Sequence, residues 1–151
     1  MSDLPVAHIY RRSGHWQSAS AKRITLTYDG RFLRRKRLVS DDGTAVLVDL
    51  PETTSLNTGD ALECVDGQLF EVVAAMEDLL EVTGSDLVRI AWHVGNRHTP
   101  CQIEPTRLLI QRDPVLADML QRIGATLREV VEPFTPEGGA YGHGRTHGHA
   151  H

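Results

Sequence analysis

The chain has 151 residues, 40% apolar and 24% charged, with a formal net charge of −4. That length suits one domain or two small ones, and the composition is that of a folded globular protein. No run of 18 apolar residues exists, which excludes a membrane-spanning helix, and the charge lacks the basic excess of a nucleic-acid binder. The first half reads as β. Ile24, Leu26 and Tyr28 alternate with Thr25 and Thr27 before Asp29-Gly30, which reads as a turn. Leu33 to Ser40 and Ala45 to Leu50 flank Asp41-Asp42-Gly43, and Leu62 to Val65 and Leu69 to Val73 flank Asp66-Gly67. Asp-Gly pairs mark hairpins because primed turns need positive φ, which glycine tolerates. Short strands linked this way predict a small antiparallel β domain over 1–75.

The period then changes. Glu77 to Val82 reads as a strand. Ser85 is a helix cap, and Leu87, Ile90, Ala91 and Val94 form one buried helical face that Gly95 ends in a left-handed cap. Ile103 to Glu104 and Arg107 to Ile110 read as strands. Asp113-Pro114 starts a second helix with Leu116, Met119, Leu120 and Ile123 inward, and Gly124 stops it. Leu127, Val130 and Val131 make a last strand. The order βαββαβ over 76–136 predicts a ferredoxin-like domain, so the fold class is α+β. Each part is small for independent folding, and a shared interface or a dimer would help. From Glu137 to His151 there are five glycines and no branched aliphatic residue, which predicts a mobile tail over 137–151.

Charge is uneven along the chain: residues 1–50 carry nine Lys/Arg against five Asp/Glu, residues 51–151 seven against fifteen. The split suggests that the two halves face different partners. The run Arg34-Arg35-Lys36-Arg37 leaves three readings open: an edge strand whose charges discourage aggregation, a surface for an acidic protein, or a nucleic-acid contact. Met1 to Arg12 has no apolar stretch of signal-peptide length, so a cytoplasmic location is expected. Cys64 and Cys101 form no CxxC pair. Both read as core residues, with Cys101 also close enough in sequence to a histidine loop to approach a metal.

Histidine is the unusual residue. There are eight, His8, His15, His93, His98, His143, His147, His149 and His151, and four fall in the last nine positions. His147, His149 and His151 alternate, so an extended chain puts them on one side, roughly 7 Å apart. Neutral imidazole is a good donor for nickel, copper and zinc, and short histidine-rich tracts read as metal-binding. An expression tag would be contiguous histidines, whereas Gly, Arg, Thr and Ala interleave here. His93 and His98 flank one helix end. Five residues apart, they are a poor chelating pair alone, and a surface-histidine reading stands beside a ligand reading. A twofold axis would change that by duplicating every ligand. No nucleophile elbow, phosphate loop or paired carboxylates point to an enzyme.

The stretch Trp92-His93-Val94-Gly95-Asn96-Arg97-His98 resembles the signature of the UreE family of urease accessory proteins. The resemblance extends to the Arg34 to Arg37 strand, Leu56-Asn57-Thr58-Gly59-Asp60, Val72 to Glu77, Asp118-Met119-Leu120 and the histidine-rich end. It implies a homodimeric nickel metallochaperone that donates nickel during urease assembly. His98 would be the metal ligand at the dimer interface, with His93 a second family histidine. The implied partners are urease apoprotein and the accessory GTPase complex, with zinc or copper competing for the site and the β domain binding a peptide or partner. Some relatives carry further metal-binding histidines before the second helix. This chain reads Gln111-Arg112-Asp113-Pro114 there, so no auxiliary histidine site is expected, and its short tail argues against nickel storage. The competing reading is a protein-interaction module whose metal binding is incidental.

Overall fold

The structure, a computed structural model, describes residues 4–138. The chain divides into two compact units, Met1–Ala75 and Met76–His151. No described helix is long and apolar enough to cross a membrane.

The first unit holds β1 (Val6–Arg11), β2 (Lys22–Leu26), β3 (Phe32–Val39), β4 (Ala45–Ser55), β5 (Ala61–Cys64) and β6 (Leu69–Ala74) in one sheet, ordered β2-β6-β5-β1-β4-β3. Two Asp-Gly turns are hairpins: Gly43 joins β3 to β4 at φ 89°, and Gly67 joins β5 to β6 at φ 90°. The sheet is mixed rather than all antiparallel, which corrects the sequence expectation. β1 runs parallel to β4 and β2 parallel to β6. Local turns fix only consecutive pairings, whereas these partners lie tens of residues apart. Asp29-Gly30 makes no hairpin either. It forms a 3₁₀ turn, Asp29–Arg31, and the Arg31 guanidinium, 2% exposed, donates to the carbonyls of Leu26 (3.0 Å) and Leu56 (3.2 Å). That buried charge ties β2 to the end of β4 and sends β3 away from β2. The far edges are joined by Asp41 N–H donating to Arg23 O (2.8 Å) and by Lys22–Asp42 (2.6 Å). Alternate apolar positions fill the core: Ile24, Leu38, Val46, Val48, Leu62, Phe70 and Val72.

The run Leu56 to Asp60 has a structural purpose. The Asp60 carboxylate, 1% exposed, accepts from Arg12 (2.6 Å), Ser13 N (3.0 Å) and Asn57 N (2.8 Å). A buried carboxylate persists only when paired and hydrogen-bonded in this way. Gly59 lies at φ 90°, and a Cβ there would meet Ser13 Oγ at 2.7 Å.

The second unit runs β7 (Met76–Thr83), α1 (Leu87–Asn96), β8 (Gln102–Ile103), β9 (Leu108–Gln111), α2 (Pro114–Arg122) and β10 (Thr126–Pro133). Its strands pair antiparallel in the order β10-β7-β9-β8. A β unit followed by a sheet with two helices makes the chain α+β. α1 and α2 bury Ile90, Val94, Leu116 and Leu120 against Leu80, Val82, Leu108 and Ile110. Asp113 caps α2 by accepting from Val115 N (2.9 Å) and Leu116 N (3.3 Å), with Pro114 at the first helical position. Ile123, expected on the buried face, is the C-cap of α2 and is exposed. Arg107 binds Glu104 (2.9 Å), Glu81 (3.0 Å) and Glu132 (2.7 Å), and Arg128 also binds Glu81 (3.0 Å), tying β7, β9 and β10 together.

Candidate functional site

The cap of α1 is Asp86, not Ser85: its carboxylate accepts from Arg89 N (3.2 Å) and Arg89 Nε (3.0 Å). The Arg89 side chain, then its backbone N–H, holds the Asp86 carboxyl below the usual range. Inward-facing Ile90 and Val94 fix the rotation of the helix. Val88 and Trp92 therefore point outward, 85% and 63% exposed, one turn apart. His93 is half-buried and meets the Trp92 ring edge-on, centroids 5.1 Å apart. Asp86, Val88, Arg89, Trp92 and His93 line a shallow depression. Two large apolar side chains on solvent are a feature the sequence reading passed over. The signal was present in their i, i+4 spacing opposite the buried stripe.

The end of α1 also differs from expectation. Gly95 is inside the helix and has no positive φ. The helix continues to Asn96, Arg97 is its C-cap, and the left-handed residue is His98, at φ 57°. His98 N–H donates to Gly95 O (2.9 Å). That is the bond made by the first residue past a helix C-cap, a position usually filled by glycine. Among the described residues, His98 is the one non-glycine residue with positive φ. The turn leaves His98 exposed at the carbonyl end of α1, where the helix dipole favours a cation.

Among the described residues, no group of three or more His, Cys, Asp or Glu side chains is placed to hold a metal ion. One chain thus brings His93 and His98 to the same helix end without completing a coordination sphere there. Cys101 is half-buried, its Sγ 3.9 Å from Gln102 O, and burial pushes its thiol up to about 11. With no metal beside it, such a thiol is protonated at neutral pH. Gln111 to Pro114 are structural: Arg112 donates to Leu79 O and Val130 O (both 3.1 Å), and Asp113 is the cap of α2. His143, His147, His149 and His151 lie outside the described residues.

In the first unit, Arg34, Arg35, Lys36 and Arg37 are all exposed on β3, an edge strand of the sheet. Arg35 pairs with Asp49 (3.1 Å) on β4. His8 Nδ1 lies 2.9 Å from Asp49 O, and His15 is exposed. Cys64 is buried in the core, with its thiol pushed up to about 11 by burial.

Two compact units, one β and one with a sheet and two helices, define a two-domain α+β protein. Each unit matches a family model. Residues 6–75 match the UreE urease accessory protein N-terminal domain, and residues 77–151 the C-terminal domain. The chain belongs to the UreE family of urease accessory proteins. It is 70% identical over 149 residues to urease accessory protein UreE of Ruegeria pomeroyi, covering 99% of each chain. It is 56% identical to that of Cereibacter sphaeroides over 151 residues, covering 100% of this chain and 82% of the relative. The corresponding protein of Rhodobacter capsulatus is 58% identical over 139 residues, 92% of this chain and 88% of the relative. Membership implies a role in urease maturation, in an accessory family distinct from the urease catalytic subunit.

Proposed function

We propose that the chain is a homodimeric nickel carrier that donates nickel during urease assembly. The observation that carries this reading is His98, set exposed and left-handed at the cation-favouring end of α1. On the same helix, Val88 and Trp92 offer exposed apolar surface of the kind that a twofold contact covers. Pairing two chains across that face would supply two His98 imidazoles to one ion, with His93 and the tail histidines His143, His147, His149 and His151 completing or feeding the site. The strand order β10-β7-β9-β8 with βαββαβ connectivity supports a ferredoxin-like reading of 76–136, the domain given metal binding and dimerisation. Residues 137–151 are read as the metal-gathering tail. The nickel is cargo, passed by ligand exchange and not turned over, so no catalytic role is assigned. Zinc and copper compete for the same donors. The location proposed is the cytoplasm, and the partners are urease apoprotein and the accessory GTPase complex.

A calorimetric nickel titration, with subunit mass measured in parallel, tests the reading. The expected result is one tight nickel per two chains, lost in His98→Ala. Affinity also falls as pH is lowered from about 8 to about 5, because protons compete for imidazole. Unchanged affinity in His98→Ala would remove His98 from the site, and unchanged affinity at pH 5 would rule histidine ligation out.

A second reading rests on β3. Four consecutive exposed cations on an edge strand suit an acidic protein surface, which supports a partner-binding role for 1–75. If that role were the whole function, charge reversal at Arg35 and Arg37 would abolish urease activation while His98→Ala left it intact.

A further inference from the structure

The four cations of β3 do not share a side. Directly opposed residues of paired strands point to the same face of a sheet. Lys36 lies opposite Val48, and its neighbour Leu38 opposite Val46, both wholly buried valines of the core. An edge strand that carries a charge on its core side is guarded against pairing with another strand, and Lys36 supplies that guard. Arg37 lies opposite Leu47, on the outer face, and has different neighbours. Leu47 is opposite Val6 on β1, and Val6 O accepts from Val65 N–H (2.9 Å) at the start of the β5–β6 turn. Arg37, Leu47, Val6 and Val65 thus form one row across β3, β4, β1 and the end of β5, about 14 Å long at roughly 4.8 Å per strand. Val65 is 78% exposed, and Val39, two residues from Arg37 on the same side, is 49% exposed. Leu47 and Val6 are half-buried. Arg35 is taken by Asp49 (3.1 Å), whereas Arg37 has no ion-pair partner among the described residues.

We propose that this row is a docking surface for a protein segment that presents apolar side chains beside a carboxylate, with Val65 and Val39 as the apolar contacts and Arg37 as the charge contact. The inference rests on the partner-binding reading of 1–75 and narrows it to one side of β3. Charge complementarity selects the occupant. A nucleic acid would draw on all four cations alike and leave the valines in water. A segment with apolar residues over Val65, Val6 and Leu47 and a carboxylate at the β3 end covers the valines and pairs the free guanidinium together. Lone exposed valines are ordinary on a protein surface, but here they adjoin one another and end at an unpaired cation. The basic run therefore divides by side: Lys36 keeps the edge from aggregating, and Arg37 binds.

The test compares Lys36→Glu with Arg37→Glu in the full-length chain. The two make the same charge change one residue apart, so they alter the long-range field almost equally and differ in the side they occupy. Val65→Asp, at an exposed turn position, probes the apolar end of the row. Association with purified urease apoprotein bound to the accessory GTPase complex is measured, with thermal unfolding and nickel affinity in parallel. The expected result is a loss of about tenfold in Arg37→Glu and in Val65→Asp and no more than about twofold in Lys36→Glu, with unfolding and nickel affinity unchanged in all three. A loss in Lys36→Glu as large as that in Arg37→Glu would make β3 a charge patch without sides. The row would then fall while the partner-binding reading stood. A Val65→Asp chain that bound like the parent, beside an impaired Arg37→Glu, would have the same meaning. Full binding by all three variants, or none by the parent, would remove the partner-binding reading as well.

Discussion

His98 occupies a backbone position that selects against it. Left-handed φ costs a non-glycine residue a fraction of a kcal/mol to about 1 kcal/mol, and the position past a helix cap is where glycine is enriched. Strain of this kind persists where the surrounding structure or a function holds it. Replacing His98 by glycine should therefore raise stability, by about 0.5–1 kcal/mol in thermal or urea unfolding, while removing the proposed nickel ligand. His98→Ala should remove the ligand without the gain. A glycine variant no more stable than the alanine variant would show that the turn carries no strain. The same residue explains a misreading. Gly95 looked like the stop because residue type is the usual sequence signal of a left-handed cap. Histidine tolerates that region well enough to take the cap position three residues on, and no local pattern announces it. Asp60 was equally hidden: a buried carboxylate is recognisable only once Arg12, 48 positions earlier, is seen beside it.

At the scale of elements, what was legible was local. Gly43 and Gly67 fixed two hairpins because an Asp-Gly turn needs no distant partner. Asp113-Pro114 fixed the start of α2 for the same reason. The β1 strand and the two parallel pairings were not legible, since they depend on residues tens of positions away. The Arg107 cluster is another long-range feature, and it makes a pH prediction. The Arg128 and then the Arg107 side chain hold the Glu81 carboxyl below its ordinary value, and Arg107 does the same to Glu132. A carboxyl depressed in the folded state contributes stability above its unfolded pKa, and that contribution is lost as pH falls through the folded value. The second unit should thus be stable at neutral pH and weaken below about pH 4. Arg107→Met should cost about 1–2 kcal/mol at pH 7, a modest figure because the cluster is partly solvated, and much less at pH 2–3. Urea unfolding at the two pH values checks it. An equal cost at both would mean that packing of the Arg107 stem, not its charge, matters.

On the scale of the whole molecule, the division into units changes what the charge pattern means. Cut at residue 50, the chain looks like a basic half joined to an acidic one. Cut where it folds, residues 1–75 carry nine Lys/Arg and ten Asp/Glu, and residues 76–151 seven and ten. The first unit is nearly neutral, so Arg34 to Arg37 act as a local patch on β3 and not as part of a general positive field. A patch of that kind steers one partner surface and is screened beyond roughly 8 Å at physiological salt. The proposed nickel ligands, in contrast, belong to the other unit. If each unit carries one role, substitutions in one should leave the other's role alone. Arg35→Glu with Arg37→Glu should leave nickel affinity within about twofold of the parent while urease activation in cells falls. His98→Ala should do the reverse to the binding measurements: nickel affinity is lost, and association with the urease partners is retained. The combined variant should show the sum of the two losses. A charge reversal that also weakened nickel binding would mean that the two roles share one surface, and the assignment of one role to each unit would fail.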